Sequence, residues 1–287
     1  MTRLAFSTIA CPKWTLEHIA EMAARWQYHG VELRTFGFGS TEIACDPALS
    51  SAEKTRRAFV DAGVEIASLA TSLRFDQPVR PRVIGRVIGD QERPVRQAKR
   101  LIDLAAQLEC PLLRVFAFEA QAGEPRSTAV TRIEEKLGKA LDHAHRTGVR
   151  LALENGGSWP TAAGIGELVR KIGSPLLGVS YSMAVAHQAG EDVVAGALGL
   201  GDSLLLARVK DMSSGAPAPI GRGELPCQRF TSALASRQKS WLVVEWDRLW
   251  MPDISPAEDV LPETARTLAA WLGEAPVRQR TEARVTA

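Results

Sequence analysis

Residues 127–155, STAVTRIEEKLGKALDHAHRTGVRLALEN, decide the fold. The stretch from Ser127 to Arg146 reads as a helix that Gly148 stops. Val149-Arg150-Leu151-Ala152-Leu153 follows almost at once as a short apolar strand, as a tight helix-to-strand connection requires. Glu154 and Asn155 stand where that strand runs out. A helix feeding directly into a short apolar strand is one unit of an alternating α/β chain.

The unit repeats in both directions. Toward the N-terminus, strands are expected at Leu4 to Ile9, Val31 to Leu33, Val64 to Leu69 and Leu112 to Phe116. Helices are expected between them at Leu16 to Tyr28, from a capping box at Ser50-Ser51-Ala52-Glu53 to Ala62, and at Gln91 to Leu108. Toward the C-terminus, strands read at Leu177 to Ser180, Leu204 to Val209 and Trp241 to Val244. Helices read at Ala162 to Lys171, Glu191 to Leu198, Gln228 to Ala235 and Pro256 to Leu272. Short apolar strands of this kind are buried on both faces. Eight strands alternating with eight helices fit a closed (β/α)8 TIM barrel, fold class α/β, better than an open sheet. One barrel domain is expected over residues 1–272, with a mobile C-terminal tail over 273–287 that is rich in Arg, Glu and Thr.

Composition narrows the function. Hydrophobic residues make up 45% of the 287, and charged ones 24%, which suits a folded domain. Its 35 basic side chains are matched by 33 acidic ones, a net charge of +2, so no footprint for a nucleic-acid backbone stands out. No run is long and apolar enough for a membrane span, and the N-terminus enters a strand without a signal-peptide core. A cytoplasmic location is therefore expected. Cys11, Cys45, Cys110 and Cys227 lie far apart and read as thiols outside any metal or redox motif.

In a barrel of this type, chemistry sits at the C-terminal ends of the strands. The windows there hold Glu32, Arg34, Arg74, Arg114, Glu154, Arg208, Lys210, Asp211, Glu245 and Asp247. Charges facing a barrel mouth lose water and must pair. Glu154 and Glu245 are either a salt-bridged closure or a carboxylate pair that removes and returns a proton. Arg34, Arg74 and Arg114 could offer forked donors to a carboxylate, phosphate or hydroxyl, or pair with the nearby Glu32, Asp76 and Glu119. His18, His29, His143 and His145 fall on helices or their ends, whereas His187, just past strand six, is expected to reach the mouth. Gly37-Phe38-Gly39 and Gly221-Arg222-Gly223 lack the setting of a phosphate loop and read as turns.

Several short motifs in order resemble the sugar phosphate isomerase/epimerase proteins, or xylose isomerase-like barrels, a superfamily that includes endonuclease IV. They are Ser7-Thr8-Ile9-Ala10-Cys11-Pro12-Lys13-Trp14, Gly30-Val31-Glu32-Leu33-Arg34, Leu153-Glu154-Asn155, Val209-Lys210-Asp211, Ile220-Gly221-Arg222-Gly223-Glu224, and Val244-Glu245-Trp246-Asp247 with Trp250. The resemblance implies a small-molecule substrate and a divalent metal held by Glu, Asp, His and Glu after strands five to eight. Glu154 and Glu245 match the two glutamates, but Ser182 stands at the Asp position, Val185 at a frequent His position, and Arg208 at the strand-seven His.

Arginine has no lone pair to give a cation, so loss of the metal is the expectation, with Arg208 in its place neutralising Glu154 and Glu245. A site rebuilt on Asp247, Asp211 or His187, with Mn or Zn, is the alternative. Catalytic work would then fall to Glu154, Glu245, Arg208 and Lys210, the last two steadying an oxyanion. Arg34, Arg74, Arg114, Asn155, Ser182, His187, Asp211 and Trp246 are the expected substrate-binding residues. The implied activity is epimerisation, isomerisation or elimination next to a carbonyl. A non-catalytic ligand- or partner-binding member is the competing reading; metal-dependent DNA repair is disfavoured by the missing ligands and near-neutral charge. A homodimer is compatible with either.

Overall fold

Eight parallel strands close into a barrel in the order β1-β10-β7-β6-β5-β4-β3-β2. The computed structural model describes residues 2–37, 43, 51–76, 92–120, 122–237 and 240–273. The first seven staves are β1 (Arg3–Ser7), β2 (Gly30–Arg34), β3 (Glu65–Arg74), β4 (Leu112–Phe116), β5 (Arg150–Glu154), β6 (Leu177–Ser182) and β7 (Leu204–Val209). A short hairpin of β8 (Asp211–Ser213) and β9 (Ala216–Ala218) precedes the closing stave β10 (Trp241–Val244). Helices between the staves form the outer layer, ending with Ala257–Trp271. The expected tail lies, from Glu274 onward, outside the described residues.

Strand alternation sorts the side chains into two cores. Leu4 and Phe6, Leu113 and Val115, and Leu151 and Leu153 point outward and pack in the main apolar cluster with the helices. Ala5, Ala67, Ala152, Leu206 and Val243 point inward and form a separate cluster with Leu112 and Trp241. Small alanines leave room for the Trp241 indole, which plugs the lower end of the barrel. Arg3 caps that ring, its guanidinium 3.9 Å from the ring centroid. Gly30 lies against the same indole, and a Cβ there would come within 2.7 Å of it. The glycine that opens β2 is thus also the one that admits the plug.

Several element ends differ from the sequence expectation. β1 stops at Ser7 because Thr8–Ala10 winds into a 3-10 turn, and the first helix stops at Arg25, with Gln27 at a φ of 64°. β3 runs on past Leu69 to Arg74, with a register shift against β4 between Ala70 and Arg74. Ser51, rather than Ser50, caps the second helix by accepting from the Lys54 amide; Ser50 lies outside the described residues. The helix expected from Glu191 begins at Val193, because Asp192 accepts from the Val194 and Ala195 amides. The helix Met183–Gln188 and the β8–β9 hairpin were not expected at all.

Gly30→Ala should lower stability by about 1–3 kcal/mol, the cost of overpacking a filled core, measured by urea unfolding. An unchanged midpoint would show that the indole does not fill the barrel floor.

Candidate active site

Above the alanine layer the barrel interior becomes ionic. Arg208, on β7, is inward by alternation with Leu206 and is only 2% exposed. Its Nη1 donates to Glu32 Oε2 at 2.6 Å and its Nη2 to Glu32 Oε1 at 2.8 Å, a bidentate pair across the barrel. Nη2 also donates to Glu245 Oε1 at 2.5 Å, and Nε lies 3.3 Å from Glu154 Oε2. Every nitrogen of the guanidinium therefore faces a carboxylate. Ser68 donates to Glu32 Oε2 at 2.7 Å from β3.

Three carboxylates around one buried cation set the local ionisation. Burial pushes the Glu32 carboxyl up, but the charge and hydrogen bonds of Arg208, then Arg114 and Ser68, outweigh it and bring it from 4.5 down to about 2. Glu245 is also lowered, burial being outweighed by Arg208 and Lys210. Burial alone would lower Arg208, yet Glu245, Glu32 and Glu154 hold it well above its usual value.

A cavity of about 320 Å³ opens over this layer, lined by residues from the ends of several strands. Glu154, Glu245, Arg208 and Lys210 all line it, as expected for the catalytic group. Of the expected binding residues, Arg34, Arg114 and Ser182 line it as well. Glu154 Oε2 accepts from Arg114 Nη1 at 3.1 Å and from the Ser180 hydroxyl at 3.3 Å. Lys210 Nζ donates to Asp247 Oδ2 at 3.0 Å. Burial lowers Lys210, but Glu245 and Asp247 more than restore it, so the ammonium is held charged.

The remaining expected binding residues do not line the cavity. His187 is exposed on the helix Met183–Gln188, and Val185 of that helix lines the cavity instead. Arg74 turns to Asp76, with Nε 3.5 Å from Oδ1. Asp211 is buried and accepts from the Met212, Gly221, Gly223 and Leu225 amides, fixing the loop after the β8–β9 hairpin. A Cβ on Gly223 would fall 2.2 Å from its Oδ1, which explains the glycine there. Asn155 locks the ends of β5 and β6 by accepting from Ser182 N and donating to Ser182 O and Pro160 O. Trp246 donates its indole N–H to Ser255 O.

Three contributions were missed. Glu32 pairs with Arg208 and not with Arg34, which its inward parity on β2 could have suggested. Ser7 lines the cavity from β1, and Trp250 and Met251, exposed at the rim, line it after β10. Among motif residues, only their place beyond a strand end could have marked them.

A closed eight-stranded parallel barrel with ionisable groups gathered at the C-terminal strand ends defines a barrel architecture built around a mouth-facing site. The chain belongs to the xylose isomerase-like TIM barrel family, whose model matches residues 20–272. No curated protein matches it. Among solved structures it is similar to an L-ribulose 3-epimerase, at 14% identity over 95% of each chain with a TM-score of 0.76. It is also similar to the probable 3-DHS dehydratase AsbF from Bacillus anthracis, at 14% identity over 93% of this chain and 99% of that one, TM-score 0.75. The IOLI protein, solved with a zinc atom, is similar at 15% identity over 95% of this chain and 98% of that one, TM-score 0.75. Likeness at this identity establishes the fold.

A divalent ion between Glu154 and Glu245 does not suit the donors present. Glu154 Oε2 and Glu245 Oε1 are turned onto Arg208, which offers no lone pair and repels a dication. No group of three or more His, Cys, Asp or Glu side chains among the described residues is arranged to hold a metal.

Stability should be full above about pH 4.5 and fall as pH drops toward about 2, where Glu32 finally protonates. The depressed carboxyl sets this sign, and urea unfolding at stepped pH reads it. Glu32→Gln should flatten the acid limb. Arg208→Met, which strands Glu32 in the barrel, should lose roughly 3–5 kcal/mol; a loss below about 1 kcal/mol would show the pair is not buried as described.

Proposed function

We propose that this chain is an isomerase- or epimerase-like enzyme that moves a proton next to the carbonyl of a small oxygenated substrate, independently of a divalent metal. The observation that carries this reading is the pair Glu154 and Glu245. Glu245 Oε1 accepts from Arg208, Glu154 Oε2 lies 3.3 Å from Arg208 Nε and accepts from Arg114 and Ser180, no hydrogen bond among the described residues takes up Glu154 Oε1 or Glu245 Oε2, and both residues line the cavity. The similar epimerase and dehydratase structures support an enzyme on this fold.

The roles follow from who has donors and lone pairs left. Glu245, held ionised, takes the proton from carbon through Oε2. As the C–H bond breaks, negative charge develops on the carbonyl oxygen. Lys210 is placed to meet it, since Asp247 is its only hydrogen-bond partner among the described residues and an ammonium has three donors. Glu154, on the other side of Arg208, takes a proton from solvent and delivers it to the carbon on the return, while Glu245 releases its own to solvent. Arg208 itself has each nitrogen turned to a carboxylate, so its part is to hold both glutamates rather than touch the substrate. It acts as a positioning residue.

The test is exchange of the carbon-bound proton with solvent deuterium, followed by proton NMR across a panel of ketoses and keto acids. Wild type should exchange one panel member, and EDTA should leave the rate unchanged. Glu245→Gln and Lys210→Met should each slow it by about 100-fold or more, as expected for loss of a proton-transfer or oxyanion group. Exchange unaffected in Glu245→Gln and Glu154→Gln would clear both carboxylates of this duty. A rate abolished by EDTA and restored by manganese would refute metal independence.

A further inference from the structure

The cavity's charges are unevenly paired. On its β7–β10 side, Arg208 and Lys210 stand with Glu245 and Asp247, two cations and two anions. Across the mouth, Arg34 and Arg114 stand with Glu32 and Glu154, but Glu32 gives both oxygens to Arg208 and Glu154 is divided between Arg114 and Arg208, so no carboxylate among the described residues hydrogen-bonds Arg34. The Arg34 guanidinium is 7% exposed, and its partners among the described residues, Ala70 O and the Ser72 hydroxyl, are both neutral. A buried cation paired with neutral acceptors alone is costly to leave as it is. Burial and the Arg114 charge outweigh the pull of Glu32 and Glu154 and lower Arg34 to about 10, so an anion arriving there would favour its charged form.

Among the described residues, three polar atoms of the cavity wall are buried without a hydrogen-bond partner: Ser7 Oγ, Arg114 Nε and Arg208 Nε, of which the last lies 3.3 Å from Glu154 Oε2. Ser7 is fully buried and Arg114 is 6% exposed. Buried donors of this kind are rarely left unmet in a native fold, and here they belong to residues of the wall next to the unneutralised arginine. Trp250 lies over Arg34, its ring centroid 5.9 Å from the guanidinium carbon, and is exposed at the rim.

We propose that the substrate is an acid, its carboxylate held by Arg34, Arg114 and the Ser7 hydroxyl beneath Trp250, with its hydroxylated carbons reaching toward Lys210 and Glu245. This names the substrate class of the site and rests on the reading of that site as catalytic. The four cations and four anions of the mouth already balance, so a carboxylate adds one negative charge there and a phosphate dianion adds two, which favours the carboxylate. Planar carboxylate also matches the forked donors of arginine. A cavity of about 320 Å³ fits a small polyhydroxy acid.

The experiment is calorimetric titration of the full chain with 2-ketogluconate, 5-ketogluconate and hydroxypyruvate, against fructose and fructose 6-phosphate. At least one of the acids should bind, about 10- to 100-fold more tightly than fructose, the range expected for a charge-assisted hydrogen-bond pair. Arg34→Gln should weaken the acid by the same factor and leave fructose unaffected. Ser7→Ala should weaken it several-fold. Trp250→Ala, at an exposed position, gives a second reading should Arg34→Gln fail to fold, and should also weaken the acid. Binding by none of the acids, fructose binding as tightly as they do, or fructose 6-phosphate preferred would each overturn the proposal. Acid binding that depends on Arg34, with no deuterium exchange in any acid, would uphold it while removing the catalytic reading. Exchange confined to neutral sugars would do the reverse.

Discussion

One guanidinium ties the barrel together at the level where its interior turns from apolar to ionic. Arg208 reaches from β7 across to Glu32 on β2, and touches Glu245 after β10 and Glu154 at the end of β5. Taking four charges out of water is costly, and such a cluster is weak evidence for stability in itself. What it provides is geometry. Two glutamates from well-separated staves are held on one rigid planar cation, each with a single oxygen left over for the cavity.

The rest of the barrel makes that arrangement feasible. Trp241 and the inward alanines pack the lower end beneath Arg208 with apolar side chains. Outside, the helices bury the other face of each strand, which fixes alternation and so the inward parity of Glu32 and Arg208. Asp211 and Asn155, polar and buried, tether the loops at the strand ends by backbone hydrogen bonds rather than by facing the cavity. With the frame fixed, Arg34 hydrogen-bonds only neutral acceptors among the described residues, and under the proposal above that is what would orient a small acid over Glu245 and Lys210.

The architecture was legible because its signals are local. Gly148 followed by Val149 to Leu153, and Gly30 followed by Val31 to Leu33, mark helix ends and buried strands within a few residues. The cavity groups Glu154, Glu245, Arg208, Lys210, Arg34 and Arg114 were legible too, since each stands at or near a strand's C-terminal end. Pairing was less so. Glu32 and Arg34 are near neighbours in sequence and both point inward, yet Arg208, 176 positions from Glu32, is the partner because barrel closure through β1 and β10 brings β7 round to face β2. His187 failed for the opposite reason: the unexpected turn of helix from Met183 rotates it outward and puts Val185 at the cavity. The parity of Glu32 was readable from β2 alone, but the closure that gives it a partner is a property of the whole chain.

The most direct test is a crystal structure grown in millimolar manganese and measured at the manganese absorption edge. The account predicts planar guanidinium density between Glu32, Glu154 and Glu245, with no anomalous peak beside it. An anomalous peak bound by Glu154 and Glu245, with Arg208 swung aside, would contradict it.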